Sequence, residues 1–265
     1  TAIAGFLLAS KGEIDLWLLL AVASGTSLII ASGCVFNNNI DRNIDAIMHR
    51  TKNRALVTKE ISACSALVYA TSLSIVGFAI LIMYANVLTI VTGAIGLFSY
   101  VVIYGIVKRR SIHGTLVGTI PGASSLVAGY LAVTNNFDTG AMILTLIMIC
   151  WQMPHFYAIA IMGLKGYKEA GIPVLPAVKG IQTTRKQIII YTVGFIMSTS
   201  ALTVFGYTGF VYLIVMLVVG TYWLRLALKN PVPDQNTNWA HERFLFSLTT
   251  LTTFSIMISI DSFLR

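Results

Sequence analysis

Charged residues and cysteines are scarce in this sequence of 265 residues. Asp, Glu, Lys and Arg make up only 11% of it, whereas hydrophobic residues make up 56% and the mean hydropathy is +0.81. A soluble domain of this length carries much more charge, so the composition excludes that class. The cysteines are Cys34, Cys64 and Cys150. Because they show no paired spacing, they indicate neither a disulfide framework nor a zinc site.

Long apolar runs are abundant instead. A membrane-spanning helix needs about 20 mostly apolar residues. The shorter run Ala2–Ala9 has no basic residue before it and is not typical of a signal peptide, so we interpret it as part of a truncated first helix. The predicted fold class is all-α: a polytopic membrane protein with a nine-helix transmembrane bundle in one domain, 1–265. The eight complete membrane spans are predicted at about 15–38, 61–84, 86–107, 114–133, 140–163, 187–206, 209–228 and 244–263.

Lysines and arginines are concentrated on one side of this topology. Sixteen of the 18 lie in the connectors 39–60, 108–113, 164–186 and 225–243, and the exceptions are Lys11 and Arg265. By the positive-inside rule these connectors face the cytoplasm. A net charge of +8 would suit nucleic acid in a soluble protein, but contact with anionic lipid explains it here. We therefore predict membrane lipid as a partner and no nucleic acid.

The most polar stretch follows the apolar run that ends at Phe36. Asn37, Asp41 and Asp45 are spaced four residues apart, so on a continuing helix one amide oxygen and two carboxylates share a face. Oxygen ligands suit Mg²⁺, which commonly takes one or two protein carboxylates and completes its shell with water and substrate phosphates. The pattern predicts a magnesium site, with these three residues as catalytic groups and metal ligands.

A basic cluster directly downstream could bind the phosphate that such a metal requires. It consists of Arg50, Lys52 and Arg54. The alternative interpretation is that these acids and bases form a solvated loop that ends the helix and anchors it at the lipid headgroups. The residues alone leave both interpretations open.

Another basic cluster follows the helix predicted at 86–107. Tyr104 precedes Lys108 by one helical turn, and Arg109 follows directly. Basic residues at this position can bind an anionic ligand, or can simply stabilise the helix C-terminus and contact lipid headgroups.

The connector 164–180 and the helix before it supply further candidates. Lys165 and Lys168 give the connector charge that could meet an anionic ligand, although tight turns between helices use a similar composition. His155 lies inside the preceding helix. An ionisable residue at membrane depth is a functional candidate, either as a haem ligand or as a proton carrier. The alternative is a neutral imidazole hydrogen-bonded to a neighbouring helix.

Four segments of the sequence, at 31–45, 50–54, 151–155 and 170–180, together closely resemble the protohaem IX farnesyltransferases, the haem-specific branch of the UbiA-type intramembrane prenyltransferases. The Asn-x-x-x-Asp-x-x-x-Asp pattern is specific to the whole superfamily. The Trp-Gln-Met-Pro-His stretch at 151–155 and the Gly-Ile-Pro-x-Leu-Pro stretch at 171–176 point to the haem branch. The resemblance implies a nine-helix bundle around a central lipid-facing cavity.

The resemblance also implies an activity. It is the transfer of a farnesyl group from farnesyl diphosphate to a vinyl group of haem B, giving haem O for haem-copper oxidases. Mg²⁺ is the implied cofactor, the cell inner membrane the location, and a haem-processing or oxidase-assembly protein a further partner. His155, Lys165 and Lys168 are expected to contact the haem. The expected diphosphate contacts are Arg50, Lys52, Arg54, Tyr104, Lys108 and Arg109.

One departure from the family pattern affects the metal prediction. Relatives tend to carry an aspartate immediately before the position of Tyr167, where this sequence has Gly166. A second magnesium site on this connector therefore lacks its aspartate, and Glu169 is the nearest acid. Two other functions remain open at this stage: a related prenyltransferase with another aromatic acceptor, and a transporter in which the acids line an ion path.

Overall fold

The computed structural model describes residues 1–230 and 235–264, and the secondary structure in these ranges is helical, with no strand. A short helix, α1 (Ala2–Ser10), precedes eight helices that are long and apolar enough to cross a membrane. Two short helices, α7 (Leu164–Glu169) and α8 (Leu175–Val178), lie in one connector. The eight long helices are α2 (Leu16–Asp45), α3 (Ala63–Tyr84), α4 (Val87–Val107), α5 (Gly114–Thr134), α6 (Thr139–Met162), α9 (Gly180–Val204), α10 (Phe210–Leu228) and α11 (Asn236–Leu264).

Helix α6 lies at the centre of the bundle. In its most apolar window 67% of the residues are buried, against 22% for α3 and α4, which expose large apolar side chains as lipid-facing helices do. Helix α6 packs against α5, α9 and α11. Buried aromatic residues fill the space between α9, α10 and α11, where the ring of Phe195 contacts Trp223 edge to face at 5.5 Å. The bundle therefore has a protein-filled centre and a lipid-facing circumference.

Helix α2 is longer than the predicted membrane span 15–38. It continues to Asp45, as the placement of the acidic motif on one helix face requires, and comprises 30 residues, or about 45 Å. Asp15 caps its start by accepting a hydrogen bond from the Leu18 backbone N–H at 3.0 Å. The polar residues that marked the predicted end instead form the last turns of the helix. This extension carries the acidic motif beyond the apolar part of the bundle.

Two later helices also begin earlier than predicted. Helix α9 starts at Gly180 rather than 187, and α11 starts at Asn236 rather than 244. Their first turns are polar, and a hydropathy criterion assigned them to connectors. The predicted connector 225–243 includes residues 231–234, which lie outside the described residues, as does Arg265.

Glycine pairs allow close helix packing, and replacing one of them should destabilise the fold. A Cβ atom at Gly77 on α3 would lie 2.9 Å from the carbonyl oxygen of Gly25 on α2 and 2.9 Å from Ile29 Cγ1. We expect Gly77→Val to separate α2 from α3 and to lower the thermal unfolding temperature in detergent, because overpacking of this kind costs about 1–3 kcal/mol. Gly105→Ala is the control, because a Cβ there meets nothing within 4 Å. Equal unfolding temperatures for the two variants would contradict this account of the packing.

Candidate active site

The end of α2 lines a cavity of about 280 Å³, here called the polar cavity. Its wall includes most of the residues predicted to bind the metal and the diphosphate, although they come from separate parts of the chain. Lys52 and Arg109 are not in this wall. The predicted residues that line it are Asn37, Asp41, Asp45, Arg50, Arg54, Tyr104 and Lys108.

Lys108 connects α4 to the first two oxygens of the motif. Its Nζ donates hydrogen bonds to Asn37 Oδ1 at 2.6 Å and to Asp41 Oδ2 at 2.5 Å. Arg109 Nη2 donates to the other carboxylate oxygen of Asp41 at 3.0 Å and to the Ile40 carbonyl at 2.8 Å. Asp41 is only 8% exposed, so this double pairing compensates for the removal of its charge from water.

Asp45 has its own cationic partner. Arg54 Nη1 lies 2.7 Å from Asp45 Oδ2, and Asp45 is 5% exposed. The Thr51 hydroxyl donates to the Asp45 backbone carbonyl at 3.0 Å, which holds the turn that returns Arg54 to the helix end. The basic cluster after α2 is therefore folded back onto the acidic motif, and the solvated-loop interpretation does not describe Arg54.

A π-helical segment at Ser99–Tyr104 forms part of α4 beside the polar cavity. Tyr100 and Tyr104 stack with ring centroids 5.7 Å apart, and the Lys108 ammonium lies 4.9 Å from the Tyr104 ring centroid. Sequence reasoning identified Tyr104 and missed Tyr100. The four-residue spacing of the two tyrosines was the available signal.

Tyr167 from α7 lines the same cavity and was missed as a site residue. Burial raises the pKa of Tyr167, and the charge of Arg50 offsets part of that rise, so the phenol is neutral at pH 7. Burial also lowers the pKa of Lys108, and the hydrogen bond and charge of Asp41 oppose that shift. The charges of the polar cavity thus come from its carboxylates, Lys108 and the arginines.

A second cavity, of about 240 Å³, continues from the polar one between α2, α4 and α5. We call it the apolar cavity. Tyr100, Gly118 and Phe156 belong to both linings, so the two spaces are adjacent. Its far end reaches Thr26 on α2 and Gly93 on α4, each 15 positions before a charged residue of the polar cavity, or about 22 Å along the helix. Together the two cavities offer a charged end and a long apolar extension.

A third cavity, of about 800 Å³, lies on the other side of Arg50. We call it the wide cavity. Met48, Arg50, Ile159 and Tyr167 line both it and the polar cavity. The structure places Lys52 here rather than in the wall of the polar cavity. It also brings Lys165 into this wall, whereas Lys168 is not part of it.

His155 is packed in the bundle between α6 and α11. Its Nδ1 lies 2.7 Å from Ser247 Oγ, and its ring stacks on Trp151 at 4.8 Å and contacts Phe244 at 5.0 Å. The Ser247 hydroxyl donates its hydrogen to the Phe244 carbonyl at 2.6 Å. The Ser247 oxygen therefore accepts a hydrogen bond from His155, in the neutral tautomer that carries its hydrogen on Nδ1. This tautomer leaves Nε2 with a lone pair. The hydrogen bond to a neighbouring helix matches the alternative sequence interpretation, and haem ligation stays a prediction.

The oxygen ligands that the polar cavity offers fit magnesium only in part. Within residues 1–230 and 235–261 no group of three or more His, Cys, Asp or Glu side chains could hold a metal ion. Two carboxylates and the Asn37 amide are nevertheless the kind of incomplete set that magnesium shares with substrate phosphates. The residues fit a magnesium ion that arrives with a diphosphate, and they do not fit a site built from protein ligands alone.

The sequence matches the UbiA prenyltransferase family over residues 1–249. The chain belongs to this family. Among curated UbiA relatives, the protoheme IX farnesyltransferase of Serratia proteamaculans is 50% identical over 262 residues, which cover 98% of this chain and 88% of that protein. The protoheme IX farnesyltransferase of Photorhabdus laumondii is 48% identical, with 98% and 89% covered.

Solved UbiA structures have the same fold. An apo UbiA homologue from Aeropyrum pernix superposes with a TM-score of 0.79 at 17% identity, covering 98% of this chain and 97% of that one. A UbiA homologue from Archaeoglobus fulgidus, bound to GPP and Mg²⁺, gives 0.72 at 12% identity, covering 97% and 96%. The predictions of an all-α multi-pass membrane fold and of membership in this prenyltransferase family are confirmed. Family membership also sets aside the transporter alternative.

Proposed function

We propose that this enzyme transfers the farnesyl group of farnesyl diphosphate to a vinyl group of haem B, producing haem O and releasing diphosphate. The observation that carries the proposal is the adjacency of a charged cavity, a long apolar cavity and a wide cavity that share wall residues. This arrangement suits a diphosphate, its prenyl tail and a large acceptor. Relatives at about half identity over nearly the whole chain bear the name of that activity.

The polar cavity would bind the diphosphate. Asn37, Asp41 and Asp45 would hold a magnesium ion, which when bound supplies positive charge beside the leaving group. Lys108, Arg50 and Arg54 line the same space and would stabilise the negative charge that develops as the allylic C–O bond breaks. The structure of the Archaeoglobus relative with GPP and Mg²⁺ supports this combination of ligands.

The transfer reaction needs no covalent intermediate on the protein. The C–O bond pair leaves with diphosphate, and the vinyl π electrons form the new bond to farnesyl C1. The cation left beside the porphyrin adds water and loses a proton to become the hydroxyl group. The apolar cavity would hold the farnesyl tail and keep water away from the first cation.

The active site would face the cytoplasm of a cell whose inner membrane holds the enzyme. The polar cavity lies at the ends of α2 and α4, which lead into the basic connectors 46–62 and 108–113, and basic connectors stay on the cytoplasmic side.

Product formation from defined substrates tests the proposal. Purified enzyme in lipid vesicles is incubated with haem B, farnesyl diphosphate and Mg²⁺, and the haem fraction is analysed by mass spectrometry. We expect a product that has gained one farnesyl and one hydroxyl group, and none when Mg²⁺ is replaced by a chelator. Consumption of farnesyl diphosphate without a haem product would reject haem as the acceptor. No turnover of either substrate would reject the transferase assignment.

A further inference from the structure

The wide cavity has features that neither the donor nor the metal explains. It is nearly three times the volume of the polar cavity and falls within the range of about 300–1,000 Å³ that small-molecule sites occupy. A diphosphate and its metal need little of this space. The apolar tail already has a separate cavity between α2, α4 and α5.

The walls of the wide cavity combine apolar surface with positive charge. Ile159, Met162 and the Phe244 ring provide apolar faces from α6 and α11. Lys52 and Lys165 are the two lysines in the lining, and neither lines the polar cavity. Glu169 is the one carboxylate among the lining residues, so with Arg50 the described lining keeps an excess of positive charge.

We propose that the wide cavity is the acceptor site and that Lys52 and Lys165 bind the two carboxylates of a flat macrocyclic acceptor. This inference rests on the proposed function and assigns the acceptor to named residues. It reassigns Lys52 from the diphosphate to the acceptor, because Lys52 faces the wide cavity. It also selects Lys165 over Lys168 as the carboxylate partner on α7.

The shared wall explains how such an acceptor would meet the donor. Arg50 and Tyr167 line both cavities, so a macrocycle in the wide cavity has one edge next to the space that holds the diphosphate. Lys165 precedes Tyr167 by two positions on α7. With its carboxylates held at the lysines, the macrocycle is oriented, and an edge away from them can face the reacting carbon.

The experiment compares haem B with its dimethyl ester, which has the same ring and no carboxylate charge. Dissociation constants are measured by absorbance titration with enzyme in nanodiscs, and farnesyl diphosphate binding is measured in parallel. Three variants are compared with the wild type. The double variant combines Lys52→Gln with Lys165→Gln, and the second variant is Lys168→Gln. The third, Lys179→Gln, is a matched control from the same connector as Lys165. We expect the wild type to prefer haem B over the ester by about 3- to 30-fold, the range for two partly exposed ion pairs.

The expected result is that the double variant loses this preference while its ester affinity and farnesyl diphosphate affinity stay within about twofold of wild type. Lys168→Gln and Lys179→Gln should keep the preference. The proposal is overturned if the double variant keeps it, if Lys168→Gln removes it, or if the wild type shows none. Loss of farnesyl diphosphate affinity in the double variant would also overturn the proposal, because it would indicate that Lys52 binds the diphosphate of the donor.

A charge reversal tests the same site. Lys165 is exposed and lines the wide cavity, so Lys165→Glu places a negative charge in that wall. We expect this variant to weaken haem B binding and to spare the ester, and equal effects on both ligands would overturn the proposal. If the wild type farnesylates haem while these charge effects are absent, the proposed function stands and only the acceptor site is rejected.

Discussion

Replacing Asp45 with asparagine is expected to reduce kcat for farnesyl transfer by about 10²- to 10³-fold, the usual effect of removing one group that stabilises developing charge. Asp45 is 5% exposed and lies 2.7 Å from Arg54, so the substitution removes a charge from the proposed metal site and also frees the guanidinium that it orients. The steady-state rate with saturating farnesyl diphosphate and haem B measures the loss.

Asp138→Asn is the matched control for this prediction. Asp138 caps the start of α6 by accepting from the Ala141 backbone N–H at 3.0 Å, and it also accepts from the Tyr130 hydroxyl at 2.9 Å. Asparagine caps a helix about as well as aspartate, so this variant should retain activity. An Asp45→Asn enzyme that folds normally and turns over within about threefold of wild type would show that its carboxylate has no part in the reaction.

Replacing Gly93 with leucine is expected to change the preferred length of the prenyl donor. Gly93 lines the far end of the apolar cavity, and a Cβ there would meet Ile29, Phe78 and Leu81 at ordinary distances of 3.4 Å or more. The Cβ atom of a leucine therefore fits at ordinary contact distances, and we expect the rest of its side chain to shorten the space for the tail. We expect kcat/KM for farnesyl diphosphate to fall by about 10- to 200-fold, the range for a hydrophobic pocket altered by one group.

Geranyl diphosphate, which is one isoprene unit shorter, provides the internal control. Its kcat/KM should fall much less in the Gly93→Leu variant, because the shorter tail does not need the far end of the cavity. The ratio of the two specificity constants is the decisive measurement, since misfolding lowers both alike. An unchanged ratio would show that the prenyl tail of the donor does not occupy the far end of the apolar cavity.

The acidic motif was predictable because its signal is local. The four-residue spacing of Asn37, Asp41 and Asp45 needs only helix geometry to place three oxygens on one face. Hydropathy located each of the eight long helices, but the membrane span that it gave for α2 ends at residue 38, because polar residues outside the membrane interior carry no apolar signal. The extension to Asp45 is held by contacts that come from other segments.

The partners of the acids could not be read from the sequence. Lys108 reaches Asp41 across 67 positions, and nothing near either residue specifies which of the basic clusters will do so. Lys52 was assigned with its neighbours to the diphosphate, yet it lines a different cavity from Arg54 because the chain turns between them. Such assignments depend on the path of the backbone, which composition and spacing do not determine.

The ion pairs at the end of α2 have a consequence for turnover. Asp41 and Asp45 have counter-charges that belong to the chain itself, so a departing anion and its metal leave no carboxylate unpaired in a poorly solvated space. When the product leaves, Asp41 and Asp45 exchange the metal ion for the basic side chains of the protein, so neither carboxylate is left without a positive charge beside it. We therefore expect only weak product inhibition by diphosphate, because Lys108 and Arg54 compete with the metal ion for the carboxylates of Asp41 and Asp45.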